Sequence, residues 1–213
     1  MILAAAVCPQ PPALVPEVGH GVAAELADVR EAALAAVDAV LAESPDRMII
    51  LGDGGAGSDE SAGGTFRGFG PDIRAGGPDL VLPPGLTVGA WLLDLAGWSG
   101  PRTYATTADL EGPERVGVLV LADGSARHRL LAPEWEDIEG RAFDADVSKA
   151  LETGDASALA SLDLEAAQEF RAAGIAGLVA LGETCEDARI DAQLRYDGAP
   201  FDVGYWVADW VLS

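Results

Sequence analysis

The chain has 213 residues, of which 49% are hydrophobic and 23% are charged, a composition that supports a folded core and excludes wholesale disorder. Acidic residues outnumber basic residues by 35 to 13, which gives a formal net charge of −22. This charge disfavours nucleic acids and anionic membrane surfaces as partners, because both are negatively charged.

The amino-terminal residues are apolar but do not resemble a targeting signal. No basic segment precedes the apolar run 2–7, and Cys8 and Pro9 follow it at once, whereas a secretory signal peptide needs a longer apolar core. No run reaches the roughly 18 apolar residues that would cross a bilayer. Cys8 and Cys185 are the only cysteines, so no disulfide framework is indicated. We therefore expect a cytoplasmic protein with reduced thiols.

The first part of the chain has the pattern of strand, helix and strand. Residues 2–7 form a short apolar run, which the closely spaced prolines of residues 9–12 end in an extended loop. Apolar residues at spacings of three and four predict a helix over residues 18–43. Residues 48–51 predict a buried strand. This order is typical of a parallel α/β sheet.

Residues 52–84 are rich in glycine and proline and show no sustained periodicity. They fit either a linker or a long loop over a site, and we predict a long loop within a single α/β domain of residues 1–213. Residues 52–57 match G-x-G-x-x-G. A dinucleotide site requires a helix to begin there, and the polar, glycine-rich residues 58–64 predict none, so a flexible loop is favoured.

The rest of the chain contains both predicted helices and predicted strands. Helices are predicted at residues 87–98, 142–152 and 164–173, and strands at residues 116–121, 190–196 and 203–212. The apolar residues 177–181 fit either a strand or a helix. The predicted fold class is therefore α/β, with a central, mostly parallel or mixed sheet and helices on both faces.

Residue types alone reveal no catalytic constellation. The cysteines form no C-x-x-C pair, and no G-x-S-x-G motif is present. The only histidines are His20 and His128, and each is interpreted more readily as a surface histidine than as a ligand. The acidic cluster at residues 134–139 fits the solvated start of a helix.

Three segments resemble a known family. They are MILAAAVCPQPPALVPEV at residues 1–18, LVLADGSARH at residues 119–128 and YDGAPFDVGYWVADW at residues 196–210. They are similar to stretches of actinobacterial proteins related to the class III extradiol dioxygenase beta subunits and to the Memo proteins. The resemblance implies the α/β fold of those subunits, with a pocket at the strand ends. In the family, two histidines and a carboxylate hold Fe(II), and a further histidine acts as an acid and base.

The residues that the family uses for iron are changed in this chain. Gln10 stands where the resemblance implies the first metal histidine, and Asp53 is the only coordinating side chain in the glycine-rich stretch after the second strand. Asp123 is retained, but Ala126 stands three residues later, where the family has a histidine. An amide is a poor ligand for Fe(II) and alanine is none. We therefore expect no metal ligands, no retained Fe(II) cofactor and no ring cleavage.

Three hypotheses follow from this comparison. The first is a non-catalytic homologue that binds a small molecule or a protein partner at the strand-end pocket. The residues predicted to form that pocket are Gln10, Asp53, Asp123, Ser125 and Ala126. The second is an enzyme of a different type on the same scaffold, with Asp123, His128 or Cys185 as candidate catalytic residues. Acidic neighbours in sequence count against an activated Cys185 thiolate. The third is a metal-dependent dioxygenase with atypical ligands. The assembly of extradiol relatives also implies a homo-oligomer.

Overall fold

A computed structural model describes residues 1–54, 57–106, 114–126 and 134–213. The strands are β1 (Ile2–Cys8), β2 (Arg47–Leu51), β3 (Ala62–Thr65), β4 (Arg74–Gly76), β5 (Asp79–Leu80), β6 (Arg102–Ala105), β7 (Val116–Leu121), β8 (Ile190–Gly198) and β9 (Tyr205–Leu212). The helices are α1 (Pro16–Gly19), α2 (Ala27–Ala42), α3 (Pro84–Leu95), α4 (Glu134–Thr153), α5 (Ala156–Ala160), α6 (Leu164–Glu169) and α7 (Ile175–Cys185). Within these ranges, no helix combines the length and the apolar character that crossing a membrane requires.

The main sheet is mixed and has six strands in the order β6-β2-β7-β1-β9-β8. Strands β6, β2, β7 and β1 run parallel to one another. β9 is antiparallel to β1, and β8 is antiparallel to β9. The carboxyl ends of the four parallel strands therefore lie at the same edge of the sheet as the beginning of β9.

Helices cover both faces of this sheet. On one face, α2 and α3 contribute buried residues such as Val37 and Leu93 to a core cluster that also includes Ile50 of β2. On the other face, α4, α5 and α7 contribute a second cluster that includes Leu151 and Leu178. Full burial of each such side chain is worth about 1.5–3 kcal/mol. The predicted α/β class, with helices on both faces of a mixed sheet, is confirmed.

The predicted helix over residues 18–43 is wrong in its first part. The chain there forms α1, a 3₁₀ turn and, from Ala27, α2. His20 has a φ of +43°, which interrupts α-helical geometry, and a Cβ at Gly19 would lie 2.6 Å from the Ala13 carbonyl oxygen. The apolar residues 177–181 are helical and belong to α7.

Residues 52–84 contain regular structure that the sequence did not predict. Strands β4, β3 and β5 form a second, three-stranded sheet, which packs on α3. The approach is close because β3 carries Gly63 and Gly64, and a Cβ at Gly64 would overlap the Thr87 side chain of α3. A strand of small residues lacks the alternating apolar pattern from which strands are predicted, so the interpretation as a loop was incorrect for this part.

Candidate functional site

Three of the predicted site residues come together at the carboxyl edge of the main sheet. Gln10 follows β1, Asp53 follows β2 and Asp123 follows β7, and these strands are neighbours in the order β2-β7-β1. In open α/β sheets, ligands bind outside the carboxyl ends of the strands. We refer to Gln10, Asp53 and Asp123, together with Tyr205, as the strand-end cluster.

The backbone holds Asp123 in place from two sides. The backbone amide of Gln10 donates a hydrogen bond of 3.0 Å to Asp123 Oδ1. The Asp123 backbone amide donates to the Ala173 carbonyl, and the Ala173 amide donates to the Asp123 carbonyl, each at 3.0 Å. The turn after β7 is thereby fixed to the end of β1 and to the segment that precedes α7.

Asp53 lies at the amino end of α7. Its Oδ2 accepts a 2.9 Å hydrogen bond from the amide of Gly174, which directly precedes Ile175, the first residue of the helix. Gly174 has a φ of +73°, and a Cβ there would overlap the Leu121 carbonyl oxygen. A carboxylate at a helix amino end interacts favourably with the helix dipole, so Asp53 also serves to anchor α7 to β2.

The carboxyl group of Asp123 is set up to exchange a proton near neutral pH. Burial raises its pKa to about 7, the Gln10 amide opposes this rise, and the charge of Asp53 adds to it. Asp123 Oδ2 accepts no hydrogen bond from another described residue. The group can therefore accept or donate a hydrogen bond at physiological pH.

Tyr205 is a member of the cluster that sequence reasoning missed. It begins β9 at this edge of the sheet and is 4% exposed. Burial raises the pKa of its phenol, and the nearby charge of Asp123 raises it further. The hydroxyl therefore stays protonated as a donor. The sequence feature that could have identified Tyr205 is the aromatic pair at residues 205–206. It lies in a segment that resembles the family, but we predicted no role for it.

The side chain of Gln10 reaches the first turn of α3. A Cβ at Gly85 would overlap Gln10 Oε1, so the carboxamide lies directly against this glycine. The carboxamide forms no hydrogen bond with another described residue. It remains available to a ligand at the strand-end cluster.

Ser125 and Ala126 were also predicted to form the pocket. Their backbone amides instead bind neighbouring segments next to the strand-end cluster. The Ser125 amide donates a 2.7 Å hydrogen bond to Asp144 Oδ1 of α4, and Ser125 is fully buried. The Ala126 amide donates to the Phe170 carbonyl at 3.0 Å. A Cβ at Gly124 or at Gly204 would come too close to the Asp144 carboxylate. Asp144 therefore fixes the turn that carries Asp123.

Cys185 does not join the other candidates. It is the last residue of α7, whose 11 residues begin beside Asp53 and extend about 16 Å from it. The flanking residues Thr184 and Ala188 line a cavity with Met1, at the opposite end of the sheet. Burial raises the pKa of the Cys185 thiol to about 11. His128, the third catalytic candidate, lies outside the described residues.

The strand-end cluster does not fit the iron site that the resemblance implies. That site needs two imidazoles and one carboxylate, whereas Gln10 and Ala126 provide an amide and a methyl group. The carboxylates of Asp53 and Asp123 each accept a backbone amide. Across the described ranges, no group of three or more histidine, cysteine, aspartate or glutamate side chains is arranged to hold a metal ion.

Comparison with known proteins adds no family assignment. No protein-family model matches the sequence, and no curated protein matches it. The likeness to the extradiol dioxygenases therefore rests on the three segments quoted above.

Proposed function

We propose that this chain is a homologue of the class III extradiol dioxygenases, with the fold of their beta subunits, that has lost ring cleavage and binds a small molecule at the strand-end cluster. The observation that carries the proposal is the donor set at the carboxyl edge. The position expected to hold the first metal histidine carries Gln10, whose backbone amide donates to Asp123 and whose carboxamide lies beside Gly85 of α3.

Unsatisfied polar groups support ligand binding. The Gln10 carboxamide, Asp123 Oδ2 and the Tyr205 hydroxyl form no hydrogen bonds with other described residues. None of the three is among the fully buried, unpaired side-chain atoms of the described residues, so solvent or a ligand can reach them. A few convergent polar groups beside a carboxyl of perturbed pKa are typical of a ligand site.

A second candidate function is an enzyme of a different type on the same scaffold. It is favoured by the position of Asp123 beside Tyr205 at the carboxyl edge of the sheet, where burial raises the pKa of the carboxyl group to about 7. A general acid or base works best when its pKa lies near the working pH. Asp123 would transfer the proton, and Tyr205 would donate a hydrogen bond to the substrate. Turnover that is lost in Asp123→Asn would favour this candidate over binding alone.

The decisive experiment compares iron retention in two proteins. The wild-type chain and a Gln10→His/Ala126→His variant are incubated with Fe(II) without oxygen, and free metal is removed before metal analysis. We expect the wild-type chain to retain no stoichiometric iron and the variant to retain it, because the two imidazoles complete a set with Asp123. Stoichiometric iron in the wild-type chain, with catechol cleavage, would overturn the proposal. Absence of iron from both proteins would overturn the assignment to the family.

Binding is tested separately by screening small polar and aromatic compounds by NMR. We expect hits to shift the amide resonances of Gln10 and Asp123 and to bind more weakly to Tyr205→Phe. Asp38→Asn, an exposed substitution on α2, is the matched control. If a hit binds Tyr205→Phe as tightly as it binds the wild-type chain, it occupies another site.

We also propose that the protein functions in the cytoplasm and that it forms a homo-oligomer. Both cysteines are free and buried, as is usual in a reducing compartment. Light scattering of the purified chain tests the oligomer, and a monomeric mass at micromolar concentration would contradict it.

A further inference from the structure

The two carboxylates of the strand-end cluster are held close to each other. Asp53 Oδ2 accepts the amide of Gly174 at 2.9 Å. The backbone of Asp123 exchanges two hydrogen bonds with that of Ala173, the residue directly before Gly174. Two consecutive residues therefore tie Asp53 and Asp123 side by side. The charge of Asp53 contributes to the raised pKa of Asp123, as expected for like charges at close range.

The charges of these two carboxylates are not balanced by a basic side chain of the described residues. None of the described ion pairs includes Asp53 or Asp123. Backbone amides and the dipole of α7 stabilise the carboxylates but leave a net negative charge. Asp53 Oδ1 and Asp123 Oδ2 accept no hydrogen bond from a described residue. Both oxygens remain available to a cation.

Tyr205 provides independent evidence that a ligand can reach this edge of the sheet. The residue is only 4% exposed, yet its hydroxyl is not among the fully enclosed polar atoms and forms no hydrogen bond with a described residue. Burial raises the pKa of the phenol, and the charge of Asp123 raises it further, so the hydroxyl lies near that carboxylate. A buried ring that presents an unpaired polar tip is typical of the wall of a ligand site.

The unpaired acceptors of the cluster match the donors of a primary ammonium group. The adjacent strands β2, β7 and β1 are each followed by a side chain with an acceptor oxygen that has no described partner, namely Asp53 Oδ1, Asp123 Oδ2 and the carboxamide oxygen of Gln10. A primary ammonium carries three N–H donors and one positive charge, and its hydrogen bonds to carboxylates are strong. An anion would be repelled, and Ca²⁺ or Mg²⁺ requires about six or more oxygen ligands.

We propose that the strand-end cluster binds the protonated primary amine of a small organic molecule. Asp123 and Asp53 hold the ammonium group, and the Gln10 carboxamide completes its hydrogen bonds. This inference rests on the proposed function of the cluster as a small-molecule site, and it names the chemical class of the ligand.

The test is a titration of the full chain with four butyl compounds, followed by NMR at pH 8 in about 0.15 M NaCl, which screens general attraction to the acidic surface. Butylamine carries the ammonium group, butyltrimethylammonium carries the charge without N–H donors, 1-butanol is neutral and butyrate is negative. We expect butylamine to shift the amide resonances of Gln10, Asp123 and Gly174 in a saturable manner. The other three compounds should bind at least about tenfold more weakly. Equal affinity for butyltrimethylammonium, or no saturable shift with butylamine, would overturn the proposal.

Two substitutions of aspartate by asparagine provide the variant and its control. Asp123→Asn removes one charge from the cluster, and we expect it to weaken butylamine binding about tenfold or more. Removing a carboxyl group of raised pKa does not destabilise the fold at pH 8, so unfolding would not explain the loss. Asp38→Asn removes the same charge from an exposed position on α2 and should leave the affinity unchanged. Equal affinities of the two variants would contradict the role given to Asp123.

Failure of this inference differs from failure of the proposed function. If 1-butanol or butyrate shifts the Gln10 and Asp123 amides in a saturable manner and butylamine does not, the cluster binds small molecules but not amines. Only the inference about the ligand class is then overturned. Stoichiometric iron in the wild-type chain, with catechol cleavage, would overturn the proposed function itself.

Discussion

The carboxyl group of Asp123 holds its proton more tightly in the folded chain than in an unfolded one. Its folded pKa is about 7, against an ordinary value of 3.8. The folded state therefore binds more protons than the unfolded state between these two values, and stability falls as the pH rises through this window. The ionised side chain works against the fold at neutral pH, as expected where a residue is placed for binding or chemistry.

Replacing Asp123 by Asn should stabilise the protein at pH 8. Asn removes the ionisation and retains an oxygen that can accept the Gln10 amide. The expected gain in the free energy of unfolding is on the order of 1–4 kcal/mol at pH 8, and it should vanish below about pH 4. Urea unfolding across this pH range measures it. Asp38→Asn, at an exposed position on α2, controls for the loss of one negative charge, and an equal gain there would contradict the explanation.

Neither cysteine should react in the folded protein. The thiolate is the reactive form, and burial raises the pKa values of both Cys8 and Cys185. We expect iodoacetamide at pH 8 to label neither thiol in the native chain and both thiols in urea, as measured by mass spectrometry. Fast native labelling of Cys185 would revive it as a candidate nucleophile.

At the scale of elements, strands were predicted most accurately from the sequence where both faces of the strand are buried. β1, β2 and β7 are apolar runs because helices cover both faces of their sheet, and such runs are visible without alignment. β6 escaped prediction, since four residues with a buried arginine, Arg102, show no such run. β3 also escaped prediction. Its glycines allow close packing on α3 but give the strand no alternating apolar pattern.

Prediction of the candidate site began from the resemblance. The family resemblance selected Gln10, Asp53 and Asp123, and they meet because parallel strands bring their carboxyl ends to one edge of the sheet. Tyr205 was not predicted, because it begins an antiparallel strand, whose neighbours depend on tertiary pairing. The length and direction of α7 could not be predicted either, because the sequence showed only the short apolar run 177–181. This helix carries Cys185 to the opposite edge of the sheet.

The close contact between β3 and α3 predicts a sharp difference between two glycines. Gly64→Ala would force its Cβ into the Thr87 side chain, whereas a Cβ at Gly68 would meet nothing within 4 Å. We expect Gly64→Ala to lower the free energy of unfolding by about 1–3 kcal/mol and Gly68→Ala to change it by less than about 0.5 kcal/mol. Chemical denaturation measures both. Equal effects would show that the small sheet can shift away from α3 at no cost.

At the scale of the whole molecule, negative charge is in large excess. The described ion pairs include Arg47 with Glu114 at 2.6 Å and Arg195 with Asp209, yet 35 acidic residues face only 13 basic ones. The compact state concentrates this charge, and the resulting self-repulsion opposes folding.

Screening should therefore raise the melting temperature. The Debye length falls from about 30 Å at 0.01 M salt to about 10 Å at 0.1 M, so most of the effect is expected below about 0.2 M NaCl. Thermal unfolding in NaCl and in KCl should give matching curves. Stabilisation by sulfate alone would point instead to solute exclusion from apolar surface.

The position of β1 also affects how the chain can fold during synthesis. This strand is made first but lies between β7 and β9, where Ala4 pairs with both Gly117 and Val211. At roughly 5–20 residues per second, a ribosome takes on the order of 10–40 s to complete this chain. During that time, β1 can acquire one neighbour after β7 emerges, but its second only after β9. Such non-local pairing makes folding slow, and until it is complete the nascent protein exposes an apolar strand edge to chaperones and to other chains.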